Sequence, residues 1–299
     1  MPIVDVIIPA FNAAKFLPFA LDSVAAQDFQ DWQIILVDDG STDNTRDIVA
    51  PYLDRFGAKM KYVRQENRGL PAARNTAIRS SDSEFIAILD ADDIWLPCRL
   101  TESVKSFAGN REIGLSYGRV LWMDGDGNIL HNFRVNPNIV RGNIASSIYK
   151  REVDLPCPTV AFRRQCIEEV GLFDETMRAT EDRDLWLRIA LRYKVVAIPK
   201  VIAYYRTSAS SMSRDLNRML TAQMTFIQKH YGAPGCGSIA RQIAIARAYK
   251  QRAESLSDRN QSGQALKSAL RATLLWPFGL DNLRTTGSLF LKSLGGGAT

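Results

Sequence analysis

The chain has 299 residues, 46% hydrophobic and 23% charged, and its 38 basic and 32 acidic side chains give a net charge of +6. That length suits one large α/β domain with an appendage, or two modest domains, and the composition is that of an ordinary globular protein. Mild basicity allows an anionic ligand or a membrane surface, but no dense Lys/Arg run with interleaved aromatics speaks for nucleic acid. Two histidines far apart, and four scattered cysteines with no Cys-x-x-Cys pair, speak against a histidine triad, a zinc site or a thioredoxin-type centre. No basic n-region follows Met1 and no uncharged apolar span reaches membrane-crossing length, so a cytoplasmic location is expected.

In chain order, Val4 to Pro9 predicts a strand that ends in the turn Pro9-Ala10-Phe11-Asn12. Within Ala14 to Ala26, Phe16, Leu17, Ala20, Leu21 and Val24 recur at helical spacing. Gln33 to Val37 predicts a second buried strand that runs into Asp38-Asp39-Gly40-Ser41-Thr42-Asp43, and a helix is expected over Asp43 to Phe56. Lys61 to Arg64 predicts a strand, and Pro71 to Ser80 a helix. Phe85 to Leu89 is an unbroken apolar run, too short for a helix, which reads as a strand buried on both faces of a parallel sheet. It stops in Asp90, Asp92 and Asp93. Clustered acids need a counter-charge, and ligands of α/β sheets bind off the carboxyl ends of strands. In extended chain Asp90 and Asp92 would point the same way and share one hard cation. On these residues alone an equal alternative is a turn in which Asp92 or Asp93 caps a helix before Trp95-Leu96-Pro97. Alternating strands and helices predict βαβ units, and two strands ending in acids favour one shared crevice.

Four motifs occur in register: Val6-Ile7-Ile8-Pro9-Ala10-Phe11-Asn12, Val37-Asp38-Asp39-Gly40-Ser41-Thr42-Asp43, Arg68-Gly69-Leu70-Pro71-Ala72-Ala73-Arg74-Asn75 and Leu89-Asp90-Ala91-Asp92-Asp93. Together the set resembles family 2 glycosyltransferases of the GT-A fold. The resemblance implies a Rossmann-like, mostly parallel α/β sheet and a nucleotide-sugar donor, usually a uridine or deoxythymidine diphosphate sugar. It implies that Pro9, Phe11 and Asn12 line the base and ribose pocket, that Asp39 accepts the imide N–H, and that Arg68 stands near ribose or phosphate. Asp90 and Ala91 would lie along the nucleotide, and Asp90 and Asp92 would hold Mg²⁺ or Mn²⁺ against the diphosphate, with Asp93 as a further contact. A metal there offsets charge on a departing diphosphate without a proton, so the chemistry agrees.

Farther on, Leu115 to Met123 and Asn128 to Phe133 flank Asp124-Gly125-Asp126-Gly127, which predicts a hairpin turn. A calcium loop is rejected there, because Ile129 and Val135 stand where Gly and Glu are required. Arg134 to Arg151 reads as irregular and polar, a lid over the acceptor or a plain surface loop. Thr159 to Phe162 predicts a strand. Thr180-Glu181-Asp182-Arg183-Asp184 predicts a helix start with Thr180 as cap. Taken alone, these acids merely favour the helix dipole. The resemblance implies that Asp182 is the catalytic base, with Glu181 beside it, and a helix N-terminus should keep that carboxylate ionised. Trp186 reads as an apolar wall for an acceptor sugar or as core. Val195 to Tyr205 predicts the last strand, and Arg206, in the loop after it, is a diphosphate candidate.

The expected division is a catalytic domain over 1–213, with a nucleotide half at 1–105 and an acceptor half at 106–213, followed by a helical region over 214–299. Packing of those helices on the catalytic domain is the leading expectation, with peripheral contact on the inner face of the membrane as the second. No Gln-x-x-Arg-Trp motif is present, which departs from the processive synthases of the family and implies transfer of single sugars. The expected activity is inverting, metal-dependent transfer to a hydroxyl of a glycan, polysaccharide repeat or glycolipid. The rivals are a sugar nucleotidyltransferase, whose glycine-rich start is missing, and a non-catalytic nucleotide-sugar binder.

Overall fold

The computed structural model describes residues 2–130, 140–177, 179–207 and 215–295. The far arm of the predicted hairpin at 131–133, the loop residues 134–139, the serine-rich segment 208–213 and the last four residues lie outside them. The chain forms two compact units, Met1–Ile144 with Val153–Ala209, and Ala145–Glu152 with Ser210–Thr299.

The first unit begins with a β/α alternation: β1 (Val4–Ala10), α1 (Leu17–Ala25), β2 (Trp32–Asp38), α2 (Thr45–Phe56), β3 (Met60–Arg64), α3 (Leu70–Arg79) and β4 (Phe85–Ile88). β1, β2 and β4 are buried along their whole length, as strands covered on both faces must be. Next come β5 (Ile94–Trp95), α4 (Arg99–Phe107) and β6 (Ile113–Met123). After α5 (Ala145–Tyr149), which belongs to the other unit, follow β7 (Ala161–Arg163), α6 (Arg164–Val170), α7 (Glu181–Ala190) and β8 (Lys194–Arg206). The strands make one eight-stranded sheet in the order β3-β2-β1-β4-β7-β6-β8-β5. β3, β2, β1 and β4 run parallel, as does the β6–β8 pair, while β7 and β5 are antiparallel to their neighbours. The predicted Rossmann-like α/β architecture is therefore the observed one.

Two local expectations are corrected. Strand β4 ends at Ile88, and Asp90 to Asp93 form a turn closed by the Asp93 N–H donating to the Asp90 carbonyl at 3.0 Å. The two aspartates are thus not on one extended strand. No helix begins there either: Ile94 and Trp95 pair with Tyr204 and Ala203 of β8, and the next helix starts at Arg99. A two-residue strand has no periodicity to read, so β5 was invisible to pattern. The segment expected to be irregular contains α5, whose Ile148 and Tyr149 are buried.

The second unit adds α8 (Leu216–Lys229), α9 (Ser238–Asp258), α10 (Ser262–Leu275) and α11 (Leu280–Gly295). Asp215 caps α8 by accepting from the N–H groups of Asn217 and Arg218. Ala253, Leu256, Ala265, Ala269 and Leu289 form the core shared by α9, α10 and α11. Tyr149 of α5 donates to the Ile227 carbonyl at 2.9 Å, which fastens α5 to this unit. Among the described residues no helix is long and apolar enough to cross a membrane.

Candidate active site

The carboxyl ends of β1, β2 and β4 converge, and the loops that leave them lock together. Asn12 adopts a left-handed conformation (φ 49) and accepts at Oδ1 from the Thr42 N–H at 2.8 Å, while its own N–H donates to Ser41 Oγ at 2.9 Å. Asp43 accepts from the Ala14 N–H at 3.1 Å. Gly40 has φ +77, and a Cβ there would meet the Asn67 nitrogen at 2.9 Å, so this crossing of two loops requires glycine. Pro9 is buried in β1 beside Val37. Phe11, just past the strand, is 51% exposed, an aromatic ring left open beside the hydrogen bond that joins Asn12 to Ser41.

Asp39 is buried, and its carboxylate accepts from Gln65 Nε2 (2.6 Å), the Arg68 N–H (2.9 Å) and the Gly69 N–H (2.7 Å). It thereby fixes the loop that starts α3, with one of about four acceptor positions left over. The Arg68 guanidinium lies 2.7 Å from Glu175 in an exposed ion pair, which contributes about 0–1 kcal/mol and separates readily.

The acidic turn is held from two sides by arginines. Arg206 was expected in an exposed loop. It is instead the last residue of β8 and buried, because its backbone N–H donates to Asp93 Oδ1 (2.8 Å) and its Nε to the Asp92 carbonyl (2.8 Å). Its guanidinium also donates to the Asp124 carbonyl at 3.1 Å and lies over the Phe16 ring. Arg206 is a strut of the acidic turn, with its polar contacts taken up by the protein.

On the other side stands Arg74 of α3, only 2% exposed, which lies within the motif Arg68 to Asn75 and for which the resemblance implies no role. It donates to Asp90 Oδ1 at 2.7 Å, to Glu181 Oε1 at 2.9 Å and to Cys157 Sγ at 3.2 Å, and its Nε is buried without a hydrogen-bond partner. One guanidinium therefore ties the acidic turn to the first turn of α7. The signal was available: Arg74 and Asn75 interrupt the small apolar face Pro71-Ala72-Ala73 that α3 buries, and a buried charge needs partners. Asn75 clamps the same region by donating to the Phe173 carbonyl and accepting from the Phe173 N–H, both at 2.9 Å.

At the start of α7, Thr180 occupies the cap position with φ 62, a left-handed conformation unusual for a β-branched residue, and makes no side-chain cap bond. Such strain costs about 1–3 kcal/mol and gathers at functional sites. Of the two readings of Trp186 the core one is observed: it is buried, and its ring centroid lies 5.7 Å from that of Phe162 and 6.0 Å from that of Phe173.

The charges are out of balance. Burial, with the charge of Asp90 added, pushes Asp92 up to about 6. Burial and the charges of Asp92 and Asp90 push Asp93 well above the usual carboxylate range. Burial raises Glu181 to about 7 against the pull of Arg74, with Asp182 adding to the rise. Asp182 was expected to be held ionised by its helix terminus, yet burial is the larger influence and moves it upward, while Arg74 and Arg183 oppose. Burial works against the charge of Arg74, but Asp90, Cys157 and Glu181 hold the guanidinium charged. Burial, and after it the charges of Asp93, Asp90, Asp92 and Asp182, push the Tyr205 hydroxyl up. Tyr205, whose ring is tilted 58° against that of Trp122 with centroids 4.6 Å apart, has no mark in the sequence.

Surplus negative charge of hard oxygen donors is what a divalent cation neutralises. Among the described residues no three His, Cys, Asp or Glu side chains gather to hold an ion unaided. Mg²⁺ is commonly bound by one or two carboxylates with substrate phosphates completing its shell, and Asp90 with Asp92 fits that donor set.

Three comparisons bear on this arrangement. An uncharacterised glycosyltransferase of Nostoc sp. is 30% identical over 230 residues, 76% of this chain and 70% of the relative. A mannosyltransferase of Pyrobaculum calidifontis, solved with GDP-mannose and Mn²⁺, superposes with a TM-score of 0.67 at 20% identity, covering 98% of this chain and 81% of that one. A fragment of S. aureus TarS, solved with UDP-GlcNAc, superposes with a TM-score of 0.61 at 19% identity over 98% and 92% of the two chains. At such identities the two structures speak for the fold. The profile described as "Glycosyl transferase family 2" matches residues 5–171, which spans β1 to β4 with their acidic turn and reaches α6. With its fold, its converging acids and this match, the chain belongs to glycosyl transferase family 2.

Proposed function

We propose that the protein is an inverting, metal-dependent glycosyltransferase that moves a single hexose-type sugar from a nucleoside diphosphate donor to a hydroxyl of a glycan, polysaccharide repeat or glycolipid on the cytoplasmic side of the membrane. The observation that carries this reading is the Arg74 bridge, which holds Asp90 and Glu181 on one guanidinium and so fixes the acidic turn against the start of α7.

In this reading Phe11 stacks on the base, with UDP or dTDP as the expected nucleotide; the UDP-GlcNAc and GDP-mannose bound by the two structural neighbours support the donor class without choosing the base. Asp39 uses its remaining acceptor position toward the base imide, and Arg68 leaves its exposed partner Glu175 for ribose or phosphate. Asp90 and Asp92 would hold Mg²⁺ or Mn²⁺, which when bound supplies positive charge to the diphosphate. Asp182 takes the proton of the acceptor hydroxyl as that oxygen bonds to the anomeric carbon. The bond from that carbon to the diphosphate oxygen breaks, its electron pair leaves with the diphosphate, and attack from the opposite face inverts the centre. An upward shift suits Asp182 to the task, because a more basic carboxylate takes a proton more readily.

The test is a screen of nucleotide sugars with Mn²⁺, scoring released nucleoside diphosphate with and without simple glycan acceptors. Release from at least one donor, with an inverted anomeric linkage in the product, supports the proposal. Pyrophosphate release from a nucleoside triphosphate and a sugar phosphate would instead make the protein a nucleotidyltransferase.

A further inference from the structure

The net charge of the chain is not spread over it. From Ser238 to the end there are nine basic and three acidic residues, which leaves 29 of each in the first 237. The whole excess of +6 therefore lies on the stretch that begins with α9. Within it, the acid nearest the α10–α11 turn is Asp281, whose carboxylate is 3.9 Å from Lys250.

The same stretch holds the apolar surface left uncovered. Among the described residues, seven of the twelve exposed large apolar side chains fall between Leu270 and Leu291. Helices α10 and α11 form an antiparallel hairpin: Thr273 Oγ1 and Thr286 Oγ1 are 3.0 Å apart, and Asn282 Nδ2 donates to the Trp276 carbonyl at 3.2 Å, closing the turn. At the tip of that hairpin Leu274, Phe278 and Leu280 are 82%, 81% and 69% exposed. Three large apolar groups that open within seven residues are a cost in water unless something covers them. Arg271 and Arg284, both exposed, stand about one helical turn behind the tip on the two arms, and Lys267 stands one turn behind Arg271.

We infer that this tip is a membrane-docking surface, in which Leu274, Phe278 and Leu280 enter the acyl boundary of an anionic lipid surface while Arg271, Arg284 and Lys267 meet its head groups. An apolar end with cations set back from it is the arrangement that an interfacial segment needs, since long basic side chains reach out to the head groups while their stems lie along apolar surface. Charge decides between occupants. A second copy docked tip to tip would bring Arg271 and Arg284 against their own images, whereas an anionic bilayer answers every one of these charges. The inference is independent of the transfer chemistry, because lipid binding is read without any sugar donor.

The experiment is flotation of the full chain with vesicles of phosphatidylcholine alone and of phosphatidylcholine mixed with phosphatidylglycerol. Binding is expected to the mixed vesicles, weakening as salt is raised. The triple variant Leu274→Ser, Phe278→Ser, Leu280→Ser should lose about tenfold or more in partitioning, and Arg271→Gln with Arg284→Gln should lose the preference for anionic lipid; all five positions are exposed, so thermal melting should be unchanged. Equal flotation of wild type and the serine variant would overturn the inference, as would failure of the wild type to float with anionic vesicles. So would a dimer in light scattering that the serine substitutions convert to monomer, which would give the tip to a subunit interface.

Discussion

Buried aspartate and arginine meet at both ends of the parallel strands, and the two meetings differ in one respect. At the amino end, Asp5 is fully buried and accepts from Gln33 Nε2 (2.5 Å), the Ser83 N–H (2.8 Å), Ser83 Oγ (2.7 Å) and Arg164 (2.9 Å). One carboxylate there is met by one guanidinium and a full set of donors. At the carboxyl end, the five acids Asp90, Asp92, Asp93, Glu181 and Asp182 share the charge of Arg74, Arg206 and Arg183, Arg206 donates to three main-chain carbonyls of the surrounding loops, and burial pushes Asp92, Asp93, Glu181 and Asp182 upward. A satisfied buried acid holds a fold together. A surplus of crowded acids either takes up protons or leaves charge for a cation to balance, and such imbalance gathers at functional sites. The comparison also says what the sequence cannot: Asp5 and Asp90 are both acids at strand ends, and only their partners tell them apart.

The largest effect should come from the unbalanced end. Asp182→Asn should lower kcat/KM by about 10²- to 10⁴-fold while donor affinity, measured by calorimetry, and thermal melting stay unchanged. A variant with near-normal turnover would remove Asp182 from its role.

The next test sets the two arginine partners against each other. Asp5→Ala breaks the satisfied network and should cost about 3 kcal/mol of stability, seen in urea unfolding, with kcat/KM intact in the folded protein. Arg74→Met should cost a similar amount and lose activity as well, because Asp90 and Glu181 then repel across the site. Loss of stability without loss of activity in Arg74→Met would reduce that bridge to a structural tie.

The smallest effect is a displacement of pH dependence. Asp182 accepts a proton only when ionised, so kcat/KM should rise with pH through its acid limb and level off. Burial raises that carboxyl, which places the limb above the ordinary aspartate value of about 3.9. The charge of Arg74 holds Asp182 down, so in Arg74→Met the residual activity should rise at a still higher pH. An acid limb at the ordinary value, unmoved by the substitution, would contradict the assignment.

Much of the nucleotide half was legible because its signals are local. A strand buried on both faces must be a largely apolar run, so Ile34 to Val37 and Phe85 to Ile88 announce themselves, and the acids that end them stand out against the apolar background. What was missed depends on partners distant in the chain. Arg74 lies 107 residues from Glu181, and Arg206 lies 113 residues from Asp93. The apolar Pro71-Ala72-Ala73 marks Arg74 as buried, but neither separation lets nearby residues name the partner, and for Arg206 a buried strut and a surface arginine look alike. Trp186 gave no sign of whether its ring faced crevice or core, because helix α7 is apolar on the face that packs on Phe162 and polar at the first turn that meets the site. The sequence marks 214–299 only as helical, and it is the antiparallel closure of α10 on α11 that brings Leu274, Phe278 and Leu280 to one end.

The central claim is that the surplus acids of the turn after β4 bind a diphosphate through a divalent cation. Calorimetric titration of UDP and GDP into wild type and Asp92→Ala, each with and without Mn²⁺, tests it most directly. The account predicts binding of at least one nucleotide that requires Mn²⁺ in the wild type and is lost in Asp92→Ala. Nucleotide binding of equal affinity without the metal, or undiminished in Asp92→Ala, would contradict it.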